Sequence, residues 1–304
     1  MNSIYQVFGI GQCSIDYITR IDSYPPPDVK YEFHELVIQG GGPVATALVA
    51  LARWGVTCTF TGVIGDDSFG NMIAKSLTDE GVNTNGLLIR QGFESQFAFI
   101  LAEPGVGRRT IFWRRPTSPP PKPEELNYNT IRNSTVLHTD GLFAEASIAA
   151  CKSAKEAGKK IVVDAGTLRD GMLDLARLSD YFVASEKFAT QLVGHDDAEK
   201  ACYKLSELGP KLVCVTLGDR GYIMIENNKI LKKPAYKVKA VDTTGCGDVF
   251  HAGFIYGLIK GWDNQKSLDF AAWAAAKSSL KLGGRKGIPS LDDWNRESCT
   301  GKTS

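Results

Sequence analysis

The chain has 304 residues, 43% of them apolar, and a formal net charge of +1. That length suits one large α/β domain or two ordinary ones with a substantial core, and the near-zero charge offers no basic face to nucleic acid or a membrane surface. Seven cysteines, odd in number and without a C-x-x-C, no basic-then-apolar N-terminal leader and no run of about 18 apolar residues together lead us to expect a soluble cytoplasmic protein with reduced thiols.

Residues 7–10 read as a short buried strand, and 14–21 and 31–38 as strands flanking the breaker Tyr24-Pro25-Pro26-Pro27-Asp28. Gly40-Gly41-Gly42-Pro43 is expected to turn into an Ala/Leu-rich helix ending near Gly55. A strand at 57–64 and a helix at 67–80, closed by Gly81, follow. Segments 96–102 and 109–113 read as a hairpin around Glu103-Pro104-Gly105. Five prolines between 116 and 123 exclude helix and central strand and mark a stiff connector.

From residue 135 onward, strands (135–138, 160–164, 181–184, 211–216) alternate with helices (145–157, 172–178, 186–193, 197–207). A strand pair near 221–236 and helices at 248–260 and 265–280 close the body. Such alternation predicts a parallel sheet with helices on both faces. The strands before residue 115 that lack intervening helices point to an extra antiparallel sheet, and the polar tail after Trp294 is expected to fray.

The chemistry concentrates in residues 242–254, Asp-Thr-Thr-Gly-Cys-Gly-Asp-Val-Phe-His-Ala-Gly-Phe. Gly245 and Gly247 allow close backbone approach to a ligand, and the following helix points unpaired N–H groups at the turn. Asp248 then stands where a carboxylate is expected to stay ionised and accept a proton, beside an anion cradle, as phosphoryl transfer to a hydroxyl requires. A bare G-x-G-D also reads as a glycine turn with a simple N-cap. Gly9-Ile10-Gly11 has Ser14 at the third glycine position and a strand where a dinucleotide site needs a helix. Gly301-Lys302-Thr303 lacks the strand and first glycine of a P-loop. His34, His138, His195 and His251 show no metal-ligand spacing, and His251 is expected to pack or cap.

The 242–254 string and Gly40-Gly41-Gly42-Pro43-Val44-Ala45-Thr46-Ala47 together resemble the two signatures of the ribokinase-like (PfkB) carbohydrate kinase family. The resemblance spans about residues 5–290. With Gly283-Gly284-Arg285-Lys286-Gly287-Ile288-Pro289, it is closest to the sulfofructose kinase and ketohexokinase-like branch. Three positions depart from the family pattern. Cys246 replaces a common Ala, Thr46 replaces Asn, and Ser185-Glu186-Lys187-Phe188 stands in the place of N-x-x-E without its Asn or final Glu.

The resemblance implies a ribokinase-like three-layer αβα domain over 1–294, with a β lid from about 14–38 and 96–114 and a tail at 295–304. It implies transfer of the γ-phosphoryl of Mg-ATP to a primary sugar hydroxyl, the sugar being a ketose or an acidic sugar. Asp248 would be the base, with Gly245, Cys246 and Gly247 holding the transferred phosphoryl. Ser14, Asp16, Gly41, Gly42, Thr46 and Arg109 would bind the sugar. Ser185, Glu186, Thr216, Gly218, Gly221 and Thr243 would bind nucleotide. Glu186 would reach Mg2+ through water, Asp242 a monovalent cation such as K+, and the lid would form a homodimer.

Arg108, Arg109, Arg114 and Arg115 read either as a solvated lid face or as a clamp for an anionic substrate group. Cys246, at a helix N-terminus, is expected to favour thiolate. A nucleoside kinase of the same fold and a catalytically weak sugar- or nucleotide-sensing protein remain as alternatives. The missing dinucleotide fingerprint disfavours an oxidoreductase.

Overall fold

The computed structural model describes residues 5–103 and 108–299. Near-continuous apolar runs form the strands of a sheet covered on both faces. Parallel strands are β1 (Val7–Ile10), β4 (Cys58–Gly65), β5 (Asn83–Arg90), β8 (Val136–Thr139), β9 (Lys160–Ala165), β10 (Tyr181–Ser185) and β11 (Leu212–Thr216). The antiparallel strands β12 (Tyr222–Glu226) and β13 (Lys229–Lys233) extend one edge. The order is β13-β12-β11-β10-β9-β8-β1-β4-β5.

Strand alternation divides the core between the two faces. Val162, Val183 and Cys214 face one helical layer, whereas Ile161, Val163, Phe182 and Val213 face the other. The first layer holds α1 (Pro43–Arg53), α2 (Ser68–Thr78), α8 (Cys246–Ile259), α9 (Asn264–Ser278) and α10 (Leu291–Cys299). The second holds α3 (Tyr128–Asn133), α4 (Ala144–Glu156), α5 (Met172–Leu178), α6 (Glu186–Val193) and α7 (Ala198–Ser206). Helix α8 is buried from Val249 through Leu258, as befits a helix that is apolar all round. The fold is ribokinase-like: a large, mostly parallel sheet between helices, plus a small separate sheet.

That small sheet contains β2 (Ser14–Arg20), β3 (Leu36–Gly41), β6 (Phe97–Glu103) and β7 (Arg108–Arg114), in the order β3-β2-β6-β7. Ile18, Ala98, Ile100, Ala102 and Leu282 form its own core. The expected hairpin is present as β6 and β7, and its Pro104-Gly105 turn lies outside the described residues.

Several local expectations are corrected. The strand expected at 31–38 starts only at Leu36 and continues through the glycines, because Gly40 and Gly41 pair with Ile15 and Ser14. The turn expected there begins at Gly42, the N-cap of α1. Strand β5 and helix α3 have no counterpart in the sequence reading; β5 is a half-buried edge strand without clean alternation. The tail expected to fray after Trp294 is helical through Cys299. Ser290 and Asp293 bond each other reciprocally at its start, and Trp294 packs edge-on against Phe270 and Trp273.

Candidate active site

The parallel strands end on one edge of the sheet, and ligands of open α/β sheets bind beyond such strand ends. Asp140 follows β8, Asp164 lies near the end of β9, and Ser185 and Thr216 end β10 and β11. The N-terminus of α8 brings Asp248 into the electrostatic field of Asp164, Asp16 and Asp140.

Gly245 caps α8 with φ 76°, and a Cβ there would lie 2.6 Å from Gly284 Cα, so this turn needs glycine. Cys246, Gly247 and Asp248 form the first turn, where N–H groups have no preceding helical acceptor. The Cys246 N–H leans on Thr243 O at 3.3 Å, leaving Gly247 and Asp248 as the better-placed donors to an anion.

Two electrostatic expectations are overturned. Asp248 is not an easily ionised helix-terminal carboxylate. Burial, and then the neighbouring Asp164, hold its carboxyl well above the usual range, with Arg109 opposing. Nor does Cys246 favour thiolate: burial pushes its thiol up to about 11, against a 3.5 Å contact from the Ser278 hydroxyl. Desolvation is the largest influence at both positions.

Asp16 is 7% exposed, and burial raises its carboxyl to about 6. Ser14 is turned inward and donates to Asp16 Oδ1 at 2.7 Å, so it orients Asp16. A Cβ on Gly41 would run into the Asp16 carboxylate. Gly42 opens α1 and Thr46 is buried one turn later, its N–H donating to Gly42 O at 2.9 Å. Arg109 reaches in from β7 and donates to Thr243 Oγ1 at 2.8 Å.

Among the residues expected to bind nucleotide, Ser185 caps α6 by accepting from Phe188 N–H at 3.1 Å and donates to Gly166 O at 2.8 Å. Glu186 is ion-paired with Arg220. Thr216 makes a long bond to Ala184 O, 3.4 Å, and Gly218 and Gly221 bracket a tight 3-10 turn just beyond it. Asp242 is 2% exposed. Its Oδ1 accepts from Thr244 N–H and Oγ1 at 2.8 and 2.7 Å, and its Oδ2 accepts from Gly283 N–H at 2.8 Å.

Sequence reading assigned no role to three residues. Asp140 accepts from Gln12 and Leu142 N–H at 2.9 and 3.0 Å, and burial raises it to about 7. Burial likewise raises Asp164, whose Oδ2 lies 3.5 Å from His251 Nδ1. The His251 Nδ1–H donates to Gly247 O at 2.7 Å, the capping role expected of it, and its partner Asp164 was not foreseen. Arg285 is 4% exposed. The ends of the predicted strands at 138 and 164 were the available signal for Asp140 and Asp164.

Among the described residues, no group of three or more His, Cys, Asp or Glu is placed to hold a metal directly. The local surplus of carboxylates nonetheless suits a Mg2+ that takes most of its ligands from nucleotide phosphates and water. Asp242, without a Lys, Arg or His ion-pair partner among the described residues, suits a monovalent cation.

The open N–H groups of the first turn of α8, a carboxyl raised by burial beside them and the small sheet reaching over through Arg109 suit phosphoryl transfer. Residues 6–291 match the model of the pfkB family carbohydrate kinase. The chain is 32% identical to Fructokinase-1 of Oryza sativa subsp. japonica over 307 residues, covering 94% of each. It is 27% identical to the ATP-dependent ribose-1-phosphate kinase of Halopiger xanaduensis, covering 94% of this chain and 96% of that one. The ribokinase of Thermotoga maritima superposes with a TM-score of 0.82 at 26% identity, covering 96% of this chain and 99% of that one. The chain belongs to the pfkB family of carbohydrate kinases and is an ATP-dependent sugar kinase.

Proposed function

We propose that this kinase phosphorylates a primary hydroxyl of a ketose, D-fructose being the first acceptor to test, with Asp248 as the base. The observation that carries this reading is Asp248 in the first turn of α8, beside the Gly245–Gly247 cradle, with its carboxyl held above the usual range. A base of raised pKa takes a hydroxyl proton more readily than an ordinary carboxylate does. The acceptor oxygen attacks the γ-phosphorus, its bond to ADP breaks, and the hydroxyl proton passes to Asp248. N–H groups of the α8 turn stabilise the charge on the transferred phosphoryl. Asp16, set by Ser14, accepts from sugar hydroxyls, with Gly41, Gly42 and Thr46 shaping that pocket.

Thr216, Gly218, Gly221, Ser185 and Thr243 line the nucleotide side in this reading. When bound, Mg2+ supplies charge neutralisation for the phosphates. Glu186 would have to leave Arg220 to approach it through water. Asp242 would hold K+. Similarity to a fructokinase supports a ketose; similarity to a ribose-1-phosphate kinase supports a phosphorylated sugar, for which Arg109 offers a guanidinium.

The outer lid exposes Leu36, Ile38, Ile111, Phe112 and Trp113, each more than 40% accessible. Such a patch suits a homodimer through the lid. No helix among the described residues is long and apolar enough to cross a membrane, and the free buried thiols suit a cytoplasmic protein.

The test is ADP release from Mg-ATP by wild type and Asp248→Asn across fructose, ribose, ribose 1-phosphate, acidic ketoses and nucleosides. Fructose-dependent turnover lost in the variant supports the reading. Turnover only with nucleosides, or undiminished turnover in Asp248→Asn, overturns it.

A further inference from the structure

Arg285 is a buried cation with too few partners. Its Nη1 reaches Ser76 O and Oγ only at 3.4 and 3.3 Å, and its Nε has no hydrogen-bond partner. Among the described residues no carboxylate pairs with it directly: Glu80, which attracts it, is held by Arg53 through bonds of 2.8 and 2.5 Å. Arg53 also fixes the Arg285 main chain, donating to its carbonyl at 2.5 Å. A buried guanidinium in this state is destabilising unless a nearby field compensates it.

The compensating charge lies across strand β3. Consecutive residues of a strand face opposite sides. A Cβ on Gly41 would strike the Asp16 carboxylate, and a Cβ on Gly40 would strike Arg285 Nη1 and Ser76 Oγ. The two glycines therefore let an acid and a base press on opposite faces of one backbone.

We propose that Arg285 is a positioning residue for sugar binding. Packed on Gly40 behind the strand, its guanidinium supplies the counter-charge that keeps Asp16 in its hydrogen-accepting form. Asp16 is the strongest attraction Arg285 has, ahead of Glu80 and Asp248, with Arg53 opposing. Conversely, Asp16 is favoured in its ionised form by the Ser14 hydroxyl and then Arg285, against its own burial. Of the other groups around the pair, Asp248 on α8 has its own carboxyl held well above the usual range by burial, and Cys13 stays neutral because burial pushes its thiol up to about 12. Arg285 is thus the positive group that acts on Asp16 from the side opposite the sugar. This rests on Asp16 as the acceptor of sugar hydroxyls proposed above.

The experiment is a 13C carboxyl NMR titration of Asp-labelled apo protein, with the Asp16 signal assigned by its loss in Asp16→Asn. In Arg285→Gln the Asp16 titration moves up by about one pH unit, the low end for losing a nearby opposite charge. Arg285→Lys stays near wild type. At pH 6 such a shift lowers the ionised fraction roughly fivefold, so the KM for fructose rises by that factor while kcat holds. Gly40→Ala, which displaces Nη1, moves the titration the same way and serves should Arg285→Gln fail to fold. An Asp16 titration unmoved in the folded variants overturns the inference. A moved titration with fructose KM unchanged in Asp16→Asn sustains the coupling and removes the Asp16 sugar contact instead.

Discussion

Arg109 in the lid strand β7 and Thr243 in the loop before α8 are 134 residues apart in the chain, yet Arg109 Nη1 donates to Thr243 Oγ1 across 2.8 Å. The lid is thereby tied to the glycine turn before α8 by one exposed guanidinium, which also lowers the cost of ionising Asp248. A contact made where the proposed sugar and phosphoryl sites meet can report on both.

Arg109→Ala should therefore lower kcat/KM by about 10- to 100-fold, the worth of one hydrogen bond to a charged group. Arg109→Lys should recover part of the charge effect but not the fork geometry. Steady-state kinetics with fructose and with a phosphorylated sugar would check this. An equal loss for both acceptors assigns Arg109 to the phosphoryl group; a larger loss for the anionic sugar makes it a substrate clamp. No loss with either removes it from the site.

Asp248 must be deprotonated to act, and its carboxyl is raised, so kcat should fall as pH falls through a limb lying above the ordinary carboxylate range. Asp164→Asn removes the largest neighbouring charge that raises it, so the limb should move to lower pH. In Asp248→Asn, turnover should drop by about a hundredfold to ten-thousandfold with nucleotide binding retained. A kcat profile flat down to pH 4 would argue against Asp248 as the base.

Cys246 should be a poor nucleophile near neutral pH despite its helix-terminal position, because burial raises its thiol to about 11. Mass-spectrometric mapping after iodoacetamide at pH 7.5 should find Cys246 largely unlabelled, and Cys246→Ala should keep most activity. Rapid labelling that nucleotide prevents would show that the helix terminus prevails over desolvation.

The C-terminal helix should matter to stability. Trp294 packs on Phe270 and Trp273, and Glu297 accepts from Trp273 Nε1 at 2.9 Å. Truncation before Leu291 should lower Tm by several degrees, consistent with loss of about 2–3 kcal/mol of aromatic packing. A melting curve superimposable on wild type would mean that α10 is dispensable.

Much of the molecule was legible from local pattern. Alternating apolar strands and helices after residue 135 specify the parallel sheet, since each element must bury its own face. Two glycine-bounded strings place tight turns before α8 and α1, the proposed anion cradle and substrate loop, because only particular residues allow the backbone to turn and approach there. Asp248 was recognisable for the same reason, its setting being written within a few neighbouring residues, whereas Asp16 was singled out only through the family resemblance.

What required the folded chain was everything set by distant neighbours. Asp140 and Asp164 join the site because strand order brings β8 and β9 beside β1 and β10. The polar tail becomes a helix because aromatic side chains from α9 wait for Trp294. Asp248 and Cys246 are raised against the expectation of their local motif because the rest of the protein buries them. Arg285 stands opposite Asp16 only because two glycines, paired into β3, let both charges approach one strand. Desolvation and Coulomb energy depend on packing in three dimensions, and spacing along the chain carries neither.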